Sequence, residues 1–477
     1  MVLVSTLLGL GAALVPQTAD AGDLAWSRWA ADHVLGTSLD VMVTPGGAGL
    51  GERAGLAALR EIARLDRVLS RWREDSELAA LNRAPRSQVS AELYAVVGMA
   101  EHWRRETGGA FSGRLGAVPG TPGAAQREAV KAAEAAILRL EPSGRAIDRP
   151  EAVRFDLDGV AKGYILDRAL VAALRAVPEA SGLLIDLGGD VRVWSHEGRG
   201  EAWRLGVADP ARPFDNVGPL QTLSLRRGAL AYSGVRARDG GDHHILDPRC
   251  GAPASAVTGA AVIAPTAAQA DALATAVAVM DPEAGLSLLG RWPGVSGMLV
   301  AADGRMLTSA NWSGTHLTAA TTAAAPGAWP AGFRLSVAVE IPDKGGANYE
   351  RPYLAAWITD AQKRVVKTLL VLGPEPRWRE SNYIFWRRVE RMDMAAVARV
   401  ARTTRAPGRY EVVWDGRADD GQPLPRGAYT LNVEASREHG GHSFVALPLA
   451  LGSGRANFQS DPTQELGVIT ARYGPGR

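Results

Sequence analysis

The chain has 477 residues, 46% hydrophobic and 22% charged, with 53 Lys and Arg against 51 Asp and Glu for a formal net charge of +2. That balance, with no basic block and no alternation of aromatic and basic residues, argues against nucleic acid as a partner, and the length predicts two or three domains with a sizeable core in each. The single cysteine, Cys250, rules out an internal disulfide and a cysteine-based metal cluster.

Val2–Val15 is an apolar run broken by Gly9 and Gly11, too short to span a bilayer and of the length of a signal-peptide core. It lacks a basic leader, but Ala19-Asp20-Ala21 has the small-x-small form of a cleavage site. Residues 1–21 are therefore expected to be a signal peptide. No cysteine lies just beyond the run, so no lipid anchor is expected. Residues 33–44 alternate like a strand and enter a glycine-rich turn at 45–51. Leu56, Leu59, Ile62, Leu65 and Leu69 recur at helical spacing and predict a helix from Glu52 to Ser70. In SRWREDSELAALN, Asp75 or Ser76 can cap a short helix ending near Asn82. Ser90–Thr107 reads as a helix closed by Gly108-Gly109, 112–125 as a Gly- and Pro-rich loop, Ala124–Ala136 as a helix, and the region of Ala146 as a weak strand.

The stretch Arg154–Tyr164, RFDLDGVAKGY, is central to the chain. A β-prone approach (Val153, Phe155, Leu157) carries Asp156 and Asp158, turns at Gly159, and leads into a helix over Val160–Leu174. Lys162 is placed in the first turn, where free N–H groups and the positive dipole end already favour an anion. The pattern suits a phosphate ligand with a metal; it equally suits an ordinary strand–turn–helix corner with a solvated lysine. Gly182–Leu187 reads as a buried strand ending in Gly188-Gly189-Asp190, with further strands at 203–208, 220–225, 229–233 and Ala260–Ala264. Thr266–Met280 is a helix of small apolar residues, so 22–316 is predicted to be an α+β domain. An Ala/Thr/Pro-rich linker at 317–332 gives way to short strands at 333–340, 352–359, 364–371, 410–414 and 428–434, with turns at Trp414-Asp415-Gly416 and Asp420-Gly421. This predicts a smaller all-β sandwich to about residue 455, then a loose tail over 456–477.

Asp271 and Thr275 lie one turn apart on the Thr266–Met280 helix and offer two hard oxygen ligands suited to Mg²⁺. The alternative is a first-turn acid beside a packing threonine. In the Asp239–Gly251 loop, His243 or His244 has the chemistry to take a proton from an attacking hydroxyl, or to bond backbone as loop histidines do. Trp72 and Phe111 can face a flat aromatic ligand or fill a core. No HExxH pair, Walker loop or dinucleotide fingerprint is present.

In order, HVLGT, LSRWREDSELAALN, TGGAF, DLDGVAKGY, IDLGGD, HHILDPRCG and APTAAQADALATA resemble the FAD:protein FMN transferase (ApbE) family over about residues 33–300. The resemblance implies an exported, periplasmic enzyme that uses Mg²⁺ to transfer FMN from FAD to a threonine or serine hydroxyl and releases AMP. It implies Mg²⁺ ligands at Asp271, Thr275 and the backbone carbonyl of Gly159. It places FAD contacts at Asp156, Lys162, Ile245, Trp72, Ala110, Phe111, Ser112 and Leu35, the last where the family usually has methionine. His244 matches the expected general base. Ser112 stands where GAFD commonly continues, and Cys250 replaces the threonine of DPRTG.

Residues 333–450, through RPYLAAW, TRAPGRYEVVWDG and GAYTLNVEASREHG, resemble an uncharacterised exported domain family found with flavin-transfer systems, and also immunoglobulin-like sandwich modules. The implied partner is an exported acceptor of a redox system, with membrane contact only through partner proteins. Family acceptors place the target in a Ser/Thr-Gly-Ala-Thr/Ser context; Thr404, in ARTT, is the nearest internal candidate but lacks the glycine. The same site can instead hydrolyse FAD to FMN and AMP, or hold FAD without turnover.

Overall fold

The computed structural model describes residues 13–14, 26–47, 49–118, 123–212, 219–234, 245–314, 327, 329–345, 349–373, 381–392, 397, 400–438 and 440–476. The chain forms two compact units that part between Leu317 and Thr318. Most of the expected signal peptide lies outside the described residues; Ala13 and Leu14 pair antiparallel with Gly206 and Leu205.

The first unit is built on an eight-stranded sheet whose strands follow one another in chain order: Ser27–Val34, Thr37–Thr44, Gly182–Leu187, Asp190–Ser195, Arg227–Gly234, Val257–Ala264, Ser296–Ala301 and Met306–Thr308. Every neighbouring pair is antiparallel. Leu183, Ile185 and Leu187 join the helical core on one face, while Leu184, Val191 and Val193 pack with Trp203, Leu205 and Leu223 of a three-stranded sheet on the other. Both faces are covered, which is why Gly182–Leu187 is a near-continuous apolar run, interrupted only by Asp186, rather than an alternating one. The strand alternation also turns Asp190 and Arg192 toward the helices.

Those helices are α1 (Leu50–Leu69), α2 (Glu77–Arg83), α3 (Ala91–Glu106), α4 (Ala124–Ala135), α5 (Asp158–Ala176), α6 (Ala267–Ala278) and α7 (Pro282–Leu289). Their starts follow local chemistry: the hydroxyls of Ser76, Ser90 and Thr266 accept from the N–H of Ala79, Leu93 and Gln269. Ser76, of the two candidate caps, is the one that serves. The approach to α5 is not a strand. Its one β-bridge joins Arg154 to Leu115, and Asn82 takes the partner strand's place, donating to the Phe155 carbonyl at 2.9 Å and accepting its N–H at 2.7 Å. Nor does Gly159 form a turn, because α5 begins at Asp158.

In the second unit, a four-stranded sheet runs in the order Gly408–Trp414, Phe333–Ile341, Ile469–Pro475, Ala456–Gln459. A five-stranded sheet runs Ala401–Arg402, Val365–Leu372, Tyr353–Asp360, Gly427–Ser436, His442–Leu451. Trp414 of the first sheet meets Tyr429 of the second edge to face at 5.1 Å. The expected loose tail is instead structural, since Ile469–Pro475 pairs with Phe333–Ile341 in the middle of its sheet. The expected linker lies mostly outside the described residues, yet its Trp329 packs on Trp414 and Tyr473. The opposite face of the five-stranded sheet carries Ala355 and Trp357 beneath Phe385 of a short helix, Tyr383–Arg388. The fully buried Glu434 carboxylate accepts the N–H of Ile384 and Phe385 there and hydrogen-bonds His442. Thr404 is also buried, 6% exposed, so its hydroxyl is no surface acceptor.

Candidate active site

The site begins where α5 crosses α6. A Cβ on Gly163 would fall 2.3 Å from the Ala267 carbonyl oxygen, so the helices can approach this closely only with glycine there. Across that contact the Gly163 N–H donates to Asp271 Oδ2 at 3.0 Å. Asp271 is 6% exposed. Burial first, then the nearby Asp190, pushes its carboxyl up to about 7 against the opposing pull of Lys162 and the Gly163 N–H. One turn on, Thr275 lies against Gly159: a Cβ there would come 3.2 Å from Thr275 Oγ1 and 3.0 Å from the Phe111 ring. Thr275, one turn from Asp271 on α6, thus lies against Gly159, which stands inside a helix rather than at a turn.

The donor set is one carboxylate, one hydroxyl and the backbone of Gly159, all hard oxygens. Among the described residues no three His, Cys, Asp or Glu side chains gather as metal ligands. This set, with a glycine cradle that a Cβ would fill, fits Mg²⁺, which commonly takes one or two protein carboxylates and leaves its other positions to water and substrate phosphate.

Lys162 departs from expectation. Because α5 starts at Asp158, Lys162 sits one turn inside the helix, and its Nζ is 2.6 Å from Oδ2 of the nearly buried Asp190. Burial alone lowers the lysine's proton affinity, but Asp190, then Asp271, outweigh it and raise the pKa, keeping the amine charged. It is therefore not a solvated lysine. Beyond it, Arg71 pairs with Asp156, lies 3.5 Å from Asp158, and stacks 4.3 Å from the ring centre of Trp72. Trp72 is 59% exposed, an aromatic face open to solvent beside the start of α5. Burial raises the Asp158 carboxyl, while Arg71 and Lys162 pull it back.

The remaining expected contacts have varied surroundings. Ala110 and Phe111 are buried, with the Phe111 N–H held by Thr107 Oγ1 at 3.0 Å. Ser112 donates its hydroxyl to Glu134 of α4, which Arg104 also holds. Leu35 adopts a left-handed φ of 50° in a two-residue turn with Gly36 and packs on the helical core. Ile245 borders the same core, its carbonyl accepting from Ala254 at 2.9 Å. That loop is tied to the end of α6 by Arg249, which pairs with Asp247 and donates to the Val279 carbonyl at 3.0 Å. His243 and His244 lie outside the described residues.

Sequence reasoning overlooked the partners: Asn82, Arg71, Asp190 and Asp167. Asn82, Arg71 and Asp190 stand within the family motifs, so a search for polar residues beside the chemistry could have found them. Asp167 carries no such signal.

Residues 35–299 match the model of the ApbE family. Residues 334–468 match that of a family described as a predicted periplasmic protein, DUF2271. The FAD:protein FMN transferase of Treponema pallidum is 32% identical over 53% of this chain and 80% of its own length. That of Klebsiella pneumoniae is 28% identical over 46% and 68%. The crystal structure of the ApbE protein from Thermotoga maritima superposes with a TM-score of 0.52 at 28% identity, covering 60% of this chain and 97% of that one. The apo flavinyl transferase ApbE of Pseudomonas stutzeri, at 21% identity and a TM-score of 0.51 over 61% and 96%, shares the fold.

Proposed function

The chain belongs to the ApbE family, and from that premise we propose that it transfers FMN from FAD to a threonine or serine hydroxyl of an exported protein, releasing AMP. The observation that carries the reading is the meeting of Asp271, Thr275 and Gly159 at the α5–α6 crossing. These residues would hold Mg²⁺ through carboxylate, hydroxyl and backbone carbonyl. A bound Mg²⁺ supplies charge neutralisation at the FAD pyrophosphate. Lys162 and Arg71 place two cations beside the start of α5, and Trp72 offers the exposed ring for the flavin.

The acceptor oxygen attacks the phosphorus of the FMN half, the bond to the AMP oxygen breaks, and AMP leaves. His244 takes the proton of the attacking hydroxyl. The periplasm is the proposed compartment, supported by the description of the family that residues 334–468 match. No helix among the described residues is long and apolar enough to cross a membrane. We assign the second unit to engagement of the acceptor or a redox partner.

The test is incubation with FAD, Mg²⁺ and a peptide carrying Ser-Gly-Ala-Thr, followed by denaturing electrophoresis and an AMP assay. Fluorescent peptide plus AMP, both lost with chelator, is the expected result. AMP with free FMN would assign hydrolysis, and bound FAD with neither product would leave a flavin carrier.

A further inference from the structure

Asp167 has no place in the chemistry above, yet it is bonded to the helix that carries Asp271 and Thr275. It lies on α5 one turn beyond Gly163, and its two carboxylate oxygens are divided between the first N–H groups of α6. Oδ1 accepts from Ala267 at 2.9 Å and Oδ2 from Ala268 at 3.0 Å. These amides are among the four at a helix start that have no partner within the helix. A carboxylate facing them also meets the positive end of the helix dipole. α6 already has its own cap in Thr266, whose hydroxyl accepts from Gln269, so the Asp167 bonds are additional and come from another element. Arg192, on the Asp190–Ser195 strand, holds the carboxylate with Nε 2.7 Å from Oδ1 and donates onward to the Gly228 carbonyl at 2.7 Å.

One turn earlier on α5 the bond runs the other way, from the Gly163 N–H into Asp271. The two helices are therefore fastened at two points by reciprocal pairs: a carboxylate of α5 on amides of α6, and a carboxylate of α6 on an amide of α5. Two such points add directional restraints on the slide and rotation of α6 against α5 to the apolar packing that surrounds it. We propose that Asp167 is a positioning residue, setting the register in which α6 presents Asp271 and Thr275 opposite Gly159. This rests on the metal reading above for its consequence, but the clamp itself is a property of the two helices.

The experiment uses the full chain, comparing wild type with Asp167→Ala, Asp167→Asn and Arg192→Gln. Amide hydrogen exchange is followed at Gly163 and over α6, and Mn²⁺ is titrated by electron paramagnetic resonance in the presence of FAD. Folding is checked by circular dichroism. In Asp167→Ala the Gly163 amide is expected to exchange at least tenfold faster and Mn²⁺ affinity to fall at least tenfold. Asp167→Asn, which keeps one acceptor oxygen, should fall between, and it decides the matter if the alanine variant does not fold. Arg192→Gln keeps both caps and should stay within about threefold of wild type in Mn²⁺ affinity, a limit set by loss of one partly exposed ion pair.

Unchanged Gly163 exchange in folded Asp167→Ala, or in Asp167→Asn if only that variant folds, would overturn the clamp. So would an Arg192→Gln loss as large as that of Asp167→Ala, since the ion pair and not the cap would then set the register. If wild type binds no Mn²⁺ while Gly163 protection still depends on Asp167, the clamp stands and the metal reading fails.

Discussion

Lys162 and Asp190 form a 2.6 Å ion pair that ties α5 to the sheet, with the carboxylate nearly buried and the lysine side chain as a whole one-third exposed. Removing the lysine strands a buried charge. Lys162→Met is expected to cost about 2–3 kcal/mol, less than a fully buried pair because the lysine side chain is only partly buried. In a double-mutant cycle with Asp190→Asn, urea unfolding should return a coupling of about 1–2 kcal/mol. Additive losses would show that the two groups do not interact in solution.

Asp186 makes stability depend on pH. Its carboxyl is pushed up to about 7 by burial and by Asp40 directly across the strand pair, against the Gly189 N–H that favours its charge. Between the ordinary carboxyl range and about 7, the folded chain keeps a proton that the unfolded chain has released. Its contribution is therefore full at acid pH and is lost as pH rises through that window. Asp186→Asn keeps an oxygen for Gly189 and should flatten this fall in unfolding free energy between about pH 4 and pH 8. Parallel curves for the two proteins would exclude a proton on Asp186.

Gly159→Ala tests the cradle. A methyl group would press on Phe111 at 3.0 Å and on Thr275 Oγ1 at 3.2 Å. Stability should fall by only about 1–2 kcal/mol, as in mild overpacking. The Mg²⁺ concentration for half-maximal AMP release should rise severalfold, and an unchanged Mg²⁺ dependence would remove Gly159 from the site.

Trp72 is the opposite case, exposed and outside the core. Trp72→Ala should change folding stability by no more than about 0.5 kcal/mol. FAD binding, followed by quenching of flavin fluorescence, should weaken by about 1 kcal/mol, roughly fivefold, through loss of ring stacking. Unaltered FAD affinity would leave Trp72 without a role in binding.

What could be read from the sequence was what depends on local pattern. The spacing of Leu56 to Leu69 gave α1, Asp75 or Ser76 marked a helix start, and the near-continuous apolar run of Gly182–Leu187 marked a buried strand. Asp271 and Thr275 were legible because helical geometry alone puts them on one face. Long-range bonding was not. Nothing local shows that Asn82 replaces a strand partner for Phe155, so Val153–Leu157 resembled a strand. Lys162 read as a first-turn lysine, anion-binding or solvated, because its partner, Asp190, arrives from another element. The tail misled for the same reason: its polar, glycine-containing composition hides Ile469, Ala471 and Tyr473, which alternate inward from a strand between two others.

The most direct test is AMP release from FAD by wild type and by Asp271→Asn, each with Mg²⁺ and with chelator, after both are shown to be folded. Mg²⁺-dependent AMP is expected from the wild type alone, with the variant at the chelator background. AMP release by the variant at the wild-type rate and with the same Mg²⁺ dependence would contradict the metal reading.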